Sequence, residues 1–97
     1  MKLRDICNKL EEWAPLAYQE SYDNSGLIVG DLETDVKGVL VSLDCIEHVV
    51  DEAISRDCNV VVSHHPIVFG GLKSLTGKNY VERTVLKAIK NNIALYA

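Results

Sequence analysis

The sequence predicts an α/β protein with a mostly parallel sheet and flanking helices, arranged in βαβ units. Two apolar runs, Val39-Leu40-Val41 and Val60-Val61-Val62, are near-continuous rather than alternating, as in parallel strands covered on both faces. Between them, Ile46, Val49, Val50, Ala53 and Ile54 recur at helical spacing, which gives the order strand, helix, strand. The length of 97 residues suits one small domain, and 47% apolar against 25% charged residues is ordinary globular composition.

Each element has its own local reason. Leu3, Ile6, Leu10 and Trp13 share one helical face, with Lys9, Glu11 and Glu12 on the other. Pro15 disfavours helix at the residue before it, so this helix ends near Trp13 or Ala14. Residues 17–25 are polar and mixed and read as a loop, with Asn24-Ser25-Gly26 as its turn. Leu27-Ile28-Val29 is a short strand closed by Gly30-Asp31. The next strand runs from Val36 toward Leu43, and Asp44 with Glu47 forms a D-x-x-E variant of the capping box at the start of the second helix. Asn59 to Val62 is the following strand, and its crossover from the previous one is expected to be right-handed. A glycine-containing loop (Phe69-Gly70-Gly71, then Thr76-Gly77) follows Pro66. Asn79 with Glu82 predicts the cap of a third helix, whose apolar face is Val81, Val85, Ala88 and Ile89 and which ends at Asn91-Asn92. Ile93 to Tyr96 is a last strand. A chain stopping there is expected to leave a bare sheet edge, as in an N-terminal portion of something longer.

Composition narrows the function. The net charge of −4, from ten Lys+Arg against fourteen Asp+Glu, argues weakly against a nucleic-acid surface, which usually needs a basic patch. Lys87 and Lys90 read as partners of a helix C-terminal dipole. Cys7, Cys45 and Cys58 form no CxxC pair, and Met1 to Asp5 is no signal peptide, so reduced thiols in a cytoplasmic protein are expected. Cys7 and Cys45 read as small apolar fillers, Cys58 as a helix-to-strand turn residue and His48 as a surface residue. No apolar run reaches the length of a membrane span.

The chemistry concentrates in Ser63-His64-His65-Pro66, directly after the valine run. Open α/β sheets bind ligands at the carboxyl ends of their strands, where this pair sits. Adjacent residues on an extended backbone point in different directions. The pair is therefore better placed to reach two ions about 3.5–4 Å apart than to chelate one. A hydrogen-bonded structural role is the competing reading, and spacing alone leaves both open. Catalytic zinc usually takes three protein ligands. Asp44, Asp23 and Glu82 are further candidates within the chain, Asp44 reading first as a helix cap and Tyr22-Asp23-Asn24 first as a turn. Lys73, Ser74, Thr76 and Lys78 are candidate contacts for an anionic group such as phosphate, with solvated loop residues as the competing reading.

Tyr22-Asp23-Asn24-Ser25-Gly26-Leu27, Ser42-Leu43-Asp44, Ser63-His64-His65-Pro66 and Lys73-Ser74-Leu75-Thr76-Gly77 come in the order and spacing of a known family. From Met1 to Ala97 the chain resembles the GTP cyclohydrolase I type 2 homologs, also called NGG-one-interacting-factor-three-like proteins. The resemblance implies an α/β protein with a dinuclear site for two divalent ions (zinc, iron or manganese), often assembled as a ring-shaped homohexamer. It implies that His64 and His65 are metal ligands. The family's remaining ligands, an aspartate in a His-Thr-Asn-x-Asp motif and a later His and Glu, map beyond Ala97. Residues 1–97 thus read as the N-terminal part of a single dinuclear-metal-binding α/β domain, inactive by itself, and the catalytic residues stay unknown. The implied function is a metal-dependent hydrolase of a nucleotide-like, phosphate or amide substrate. The alternative is a non-enzymatic metal-binding regulatory protein with a protein partner. A homo-oligomer without nucleic-acid or membrane contact is expected.

Overall fold

The computed structural model describes residues 1–13, 26–65 and 74–97. Along them run helix α1 (Leu3–Trp13), strands β1 (Leu27–Val29) and β2 (Val39–Ser42), helix α2 (Glu47–Ser55), strand β3 (Val60–Ser63), helix α3 (Tyr80–Lys90) and strand β4 (Ala94–Tyr96). The four strands form one sheet in the order β1-β4-β3-β2. β2, β3 and β4 are parallel, and β1 joins β4 antiparallel. This is the mostly parallel α/β architecture that the valine runs predict, with one antiparallel strand added. Strand order advances in one direction from β2 to β4 and both connecting helices pack on the same face, so the two crossovers share a hand.

The parallel register decides which side chains meet. Val39, Val60 and Ala94 lie in one row, and Val41, Val62 and Tyr96 in another on the same face. Leu3 and Cys7 of α1 pack on that face against Val60, Ala94 and Tyr96. Val61 and Leu95 point the other way, into a cluster with Val50 and Ala53 of α2 and Val85 and Ala88 of α3. β3 is therefore enclosed from both sides, with Val60 and Val61 wholly buried. Each such burial contributes about 1.5–3 kcal/mol relative to an exposed side chain.

Both helix-to-strand turns are made alike. Asp57 (φ 56°) ends α2 and Asn92 (φ 55°) ends α3, each in the left-handed conformation that Asp and Asn tolerate better than most residues. The next amide then reaches back into the helix: Cys58 N–H donates to Ala53 C=O and Ile93 N–H to Ala88 C=O, both at 2.8 Å. At the start of the chain, Leu3 and Arg4 N–H donate to the Thr34 and Leu32 carbonyls, and Lys2 pairs with Asp35 at 2.9 Å. This lashes α1 to the segment after β1.

Several expectations change. β2 starts at Val39 rather than Val36, because Val36 N–H is already held by Met1 C=O. Among the described strands β2 borders the sheet, and α1 does not extend over it: Leu40 packs inward while Val39 and Val41 are exposed. Asp44 does not cap α2. The helix begins three residues later, with Ile46 as its cap residue and no side-chain cap bond. The reason is that Leu43 C=O still accepts from the His64 and His65 amides just after β3, so residue 44 follows the strand rather than starting a helix. The α2 face is narrower than its spacing suggests: Val50 and Ala53 are buried, whereas Ile46 and Ile54 are exposed. The last strand is no bare edge. β4 lies between β1 and β3, and the Ala97 backbone exchanges two hydrogen bonds with Gly26. Lys87 does more than face a helix dipole, since its ammonium bridges Glu47 (3.0 Å) and Asp51 (2.8 Å) of α2.

Gly30 tests the seam between α1 and the sheet. Its φ of +141° disfavours any side chain, and an added Cβ would stand 2.8 Å from Ala94 Cβ and 3.2 Å from Leu3 Cδ2. Gly30→Ala is expected to lower stability by at least the about 1–3 kcal/mol of such backbone strain, read as a lower urea midpoint. An unchanged midpoint would show that the seam yields without cost.

Candidate metal centre

The histidine pair owes its position to β3's register with β2. Ser42 and Ser63 are aligned partners at the carboxyl ends of the two strands. Beyond them the backbone of β3 stops alternating. His64 N–H donates to the Ser42 and Leu43 carbonyls (both 3.1 Å) and His65 N–H to Leu43 C=O (3.0 Å). Two successive amides thus turn toward the same neighbour, which an extended strand does not do. The expected extended geometry at His64 and His65 is therefore a bend.

Two serines, given no role by the sequence reading, fix that bend. Ser63 Oγ, nearly inaccessible to solvent, donates to His65 C=O at 2.9 Å. Ser42 Oγ makes the equivalent bond to Asp44 C=O at 2.7 Å. The signal was a serine at the last position of both strands, each able to bond the backbone two residues on. Sheet pairing was needed to see that the two are neighbours.

Both imidazoles are exposed, with ring centroids 4.7 Å apart and planes at 89°. Ring-nitrogen lone pairs lie in the ring plane, so the two sets of donors lie in nearly perpendicular planes. Among the described residues, neither imidazole is hydrogen-bonded to another protein group. Imidazole nitrogen is a good ligand for zinc, iron and related ions. The donor set fits a metal in kind. It falls short in number, since no group of three His, Cys, Asp or Glu converges among the described residues.

The other candidates divide. Asp44 is exposed at the neighbouring strand end but completes no three-ligand group. Asp23 and Lys73 lie outside the described residues, as does Pro66. Glu82 is committed elsewhere. Its Oε1 accepts from the backbone N–H of Thr76 (3.0 Å), Gly77 (3.2 Å) and Lys78 (3.4 Å), while its own N–H donates to Asn79 Oδ1 at 2.9 Å. The Asn79 cap of α3 is thus present, and the Glu82 carboxylate fills the concavity of the 76–78 loop. The Thr76 amide, and its hydroxyl at 3.4 Å, are engaged there rather than offered to an outside anion. His48 is exposed as expected. Cys7 and Cys45 are buried, and burial pushes the Cys45 thiol up to about 11.

The sequence model of Duf34/NIF3 (NGG1p interacting factor 3) matches residues 1–97. A GTP cyclohydrolase 1 type 2 homolog of Clostridium acetobutylicum is 40% identical over all 97 residues, which span 36% of that relative. Crystal structures of Staphylococcus aureus protein SA1388 (41% identity, TM-score 0.94) and of a Bacillus cereus protein related to NIF3 (37%, TM-score 0.90) superpose on the whole chain, which covers 28% and 27% of them. The chain therefore spans roughly a third or less of the length of the relatives it matches.

Two outcomes follow. Ser63→Ala is expected to cost about 0.5–1.5 kcal/mol, the net worth of one hydrogen bond, measured by urea unfolding. Backbone donors, Thr76 first, hold the Glu82 carboxyl below its ordinary 4.5. A depressed folded value stabilises fully above the unfolded value and is lost as pH falls through the folded one. Wild type should therefore exceed Glu82→Gln in melting temperature at neutral pH, with the gap closing below pH 4.5. A gap constant down to strong acid would show that the carboxylate's charge contributes nothing.

Proposed function

We propose that this chain, which belongs to the Duf34/NIF3 family, contributes the two-histidine part of a dinuclear metal site in a metal-dependent hydrolase. The observation that carries this is the placement of His64 and His65. They stand exposed and side by side at the carboxyl edge of three parallel strands, held by main-chain bonds that leave both rings to a ligand. That edge is where α/β sheets bind ligands.

His64 and His65 would be first ligands to the metal, with further donors from outside the described residues. Two divalent ions (zinc, iron or manganese) held there would polarise a substrate oxygen and activate water, chemistry that suits a nucleotide-like, phosphate or amide substrate. The protein's own part is positional. Ser63 and Ser42 lock the strand ends, and the bend leaves both rings exposed beside each other. Lys78, whose ammonium reaches Ser74 Oγ at 3.3 Å, is the described cation of the following loop that can turn toward an anionic substrate. This reading makes residues 1–97 one part of a single domain of a cytoplasmic homo-oligomer. No helix of the described residues is long and apolar enough to cross a membrane.

A second reading, a non-enzymatic metal-binding regulatory protein, draws on the acidic charge and on the family's description as an interacting factor. Metal titration separates ligand from structural roles, and turnover separates the two functions. The 97-residue chain should bind Zn²⁺, Mn²⁺ or Fe²⁺ weakly, and His64→Ala and His65→Ala should each weaken binding at least about tenfold, given the three ligands a catalytic zinc needs. Unchanged binding in both variants would remove the ligand assignment. Stoichiometric metal in a full-length relative, without metal-dependent hydrolysis across nucleotide, phosphoester and amide substrates, would favour the regulatory reading.

A further inference from the structure

The end of β2 is built like the end of β3. Ser42 and Ser63 are register partners, and each donates its hydroxyl to the carbonyl two residues on: Ser42 Oγ to Asp44 C=O (2.7 Å) and Ser63 Oγ to His65 C=O (2.9 Å). Parallel neighbours turned by the same bond leave the sheet side by side, with strands about 4.8 Å apart. The two exits are also tied together, because Leu43 C=O accepts from His64 N–H (3.1 Å) and His65 N–H (3.0 Å). Counting from the paired serines, Asp44 is to β2 what His65 is to β3, and both are exposed. The fold itself does not account for the Asp44 carboxylate, since Asp44 is not the cap of α2. The other described aspartates are each bound to a neighbour. Asp5 accepts from Lys2 N–H and Asp31 from Glu33 N–H, while Asp35, Asp51 and Asp57 pair with Lys2, Lys87 and Lys37. What lies beside Asp44 is the histidine exit, held there by amide bonds from His64 and His65.

We propose that Asp44 is the positioning carboxylate of His65: when one ring nitrogen of His65 holds a divalent cation, the N–H of the other donates to Asp44. This role rests on His65 being a metal ligand, as proposed above. An imidazole that ligates through one nitrogen keeps its proton on the other, and that N–H is ordinarily tied to a carboxylate, a carbonyl or water, which fixes the ring and raises its basicity. A carboxylate adds to this the attraction of its charge for the cation. The Ser42 hydroxyl anchors the Asp44 main chain, which leaves two side-chain torsions to bring the carboxylate onto the ring. His64 has no such counterpart. Its register position on β2 is Leu43, whose side chain accepts no hydrogen bond. The two adjacent histidines are thereby made unequal, His65 with an orienting partner from the neighbouring strand and His64 without one.

The test is zinc titration of the 97-residue chain by calorimetry, together with NMR of the histidine ring protons. Asp44→Ala should lower zinc affinity about tenfold or more, the usual effect of removing such a partner. Its urea midpoint should stay that of wild type, because the side chain is exposed. Asp57→Asn removes the same charge ahead of β3, at the amino ends of the parallel strands, and should leave zinc affinity unchanged. In zinc-loaded wild type the His65 ring N–H should give a slowly exchanging downfield proton signal, absent from Asp44→Ala and retained in Asp57→Asn. Affinity unchanged in Asp44→Ala while His65→Ala weakens it would overturn the partnership and leave the ligand assignment standing. Zinc binding indifferent to His65→Ala would overturn both. A loss in Asp57→Asn as large as in Asp44→Ala would reduce Asp44 to bulk charge and overturn the positioning role.

Discussion

The burial of β3 from both sides is the constraint on which the rest of the molecule depends. Val60 is closed in by α1 and Val61 by α2 and α3, so this strand cannot slide or turn over without exposing one core or the other. Its register with β2 then fixes Ser63 beside Ser42, and the two serines turn the chains that leave the sheet. The histidines follow as a consequence of the core rather than through bonds of their own. Their main chain is anchored and their rings are unencumbered, a separation that lets the rings be replaced with little effect on the fold.

How much of this was legible depended on whether a feature is local. The α3 cap could be read from Asn79 and Glu82, because capping involves residues three apart. The same logic failed at Asp44, where a bond from the neighbouring strand keeps residue 44 out of the helix. The valine runs announced parallel strands. Yet Val39-Leu40-Val41 and Val60-Val61-Val62 look alike in sequence while one borders the sheet and the other lies inside it. Strand order is a property of the whole chain, and no window of residues contains it. The location of His64 and His65 was readable from a strand end. Their bend was not, since it rests on carbonyls some twenty residues away along the chain. Glu82 shows the opposite confusion: a carboxylate near a loop of donors resembles a ligand, but its contacts are internal.

The buried titratable groups are quiet. Burial pushes the Cys45 thiol up to about 11 and, as the leading cause, the Tyr96 phenol to about 12. Both therefore stay protonated at neutral pH and act as packing groups. Among the described residues no buried polar side-chain atom lacks a hydrogen-bond partner. The interior has little chemistry to offer, and what the described residues do offer is gathered at the ends of β2 and β3.

The position of β4 bears on how the protein is made. It comes after the other described strands in sequence, yet it sits between β1 and β3 and does not pair with β2. During synthesis β2 and β3 can pair as soon as both have left the ribosome, but β1 has no place in the sheet until Tyr96 emerges. A nascent chain therefore carries β1, and the α1 segment lashed to it, without their sheet partner while the residues between β1 and β4 are being made. Chaperone contact or misassociation would fall in that interval, which ends when β4 becomes available to β1.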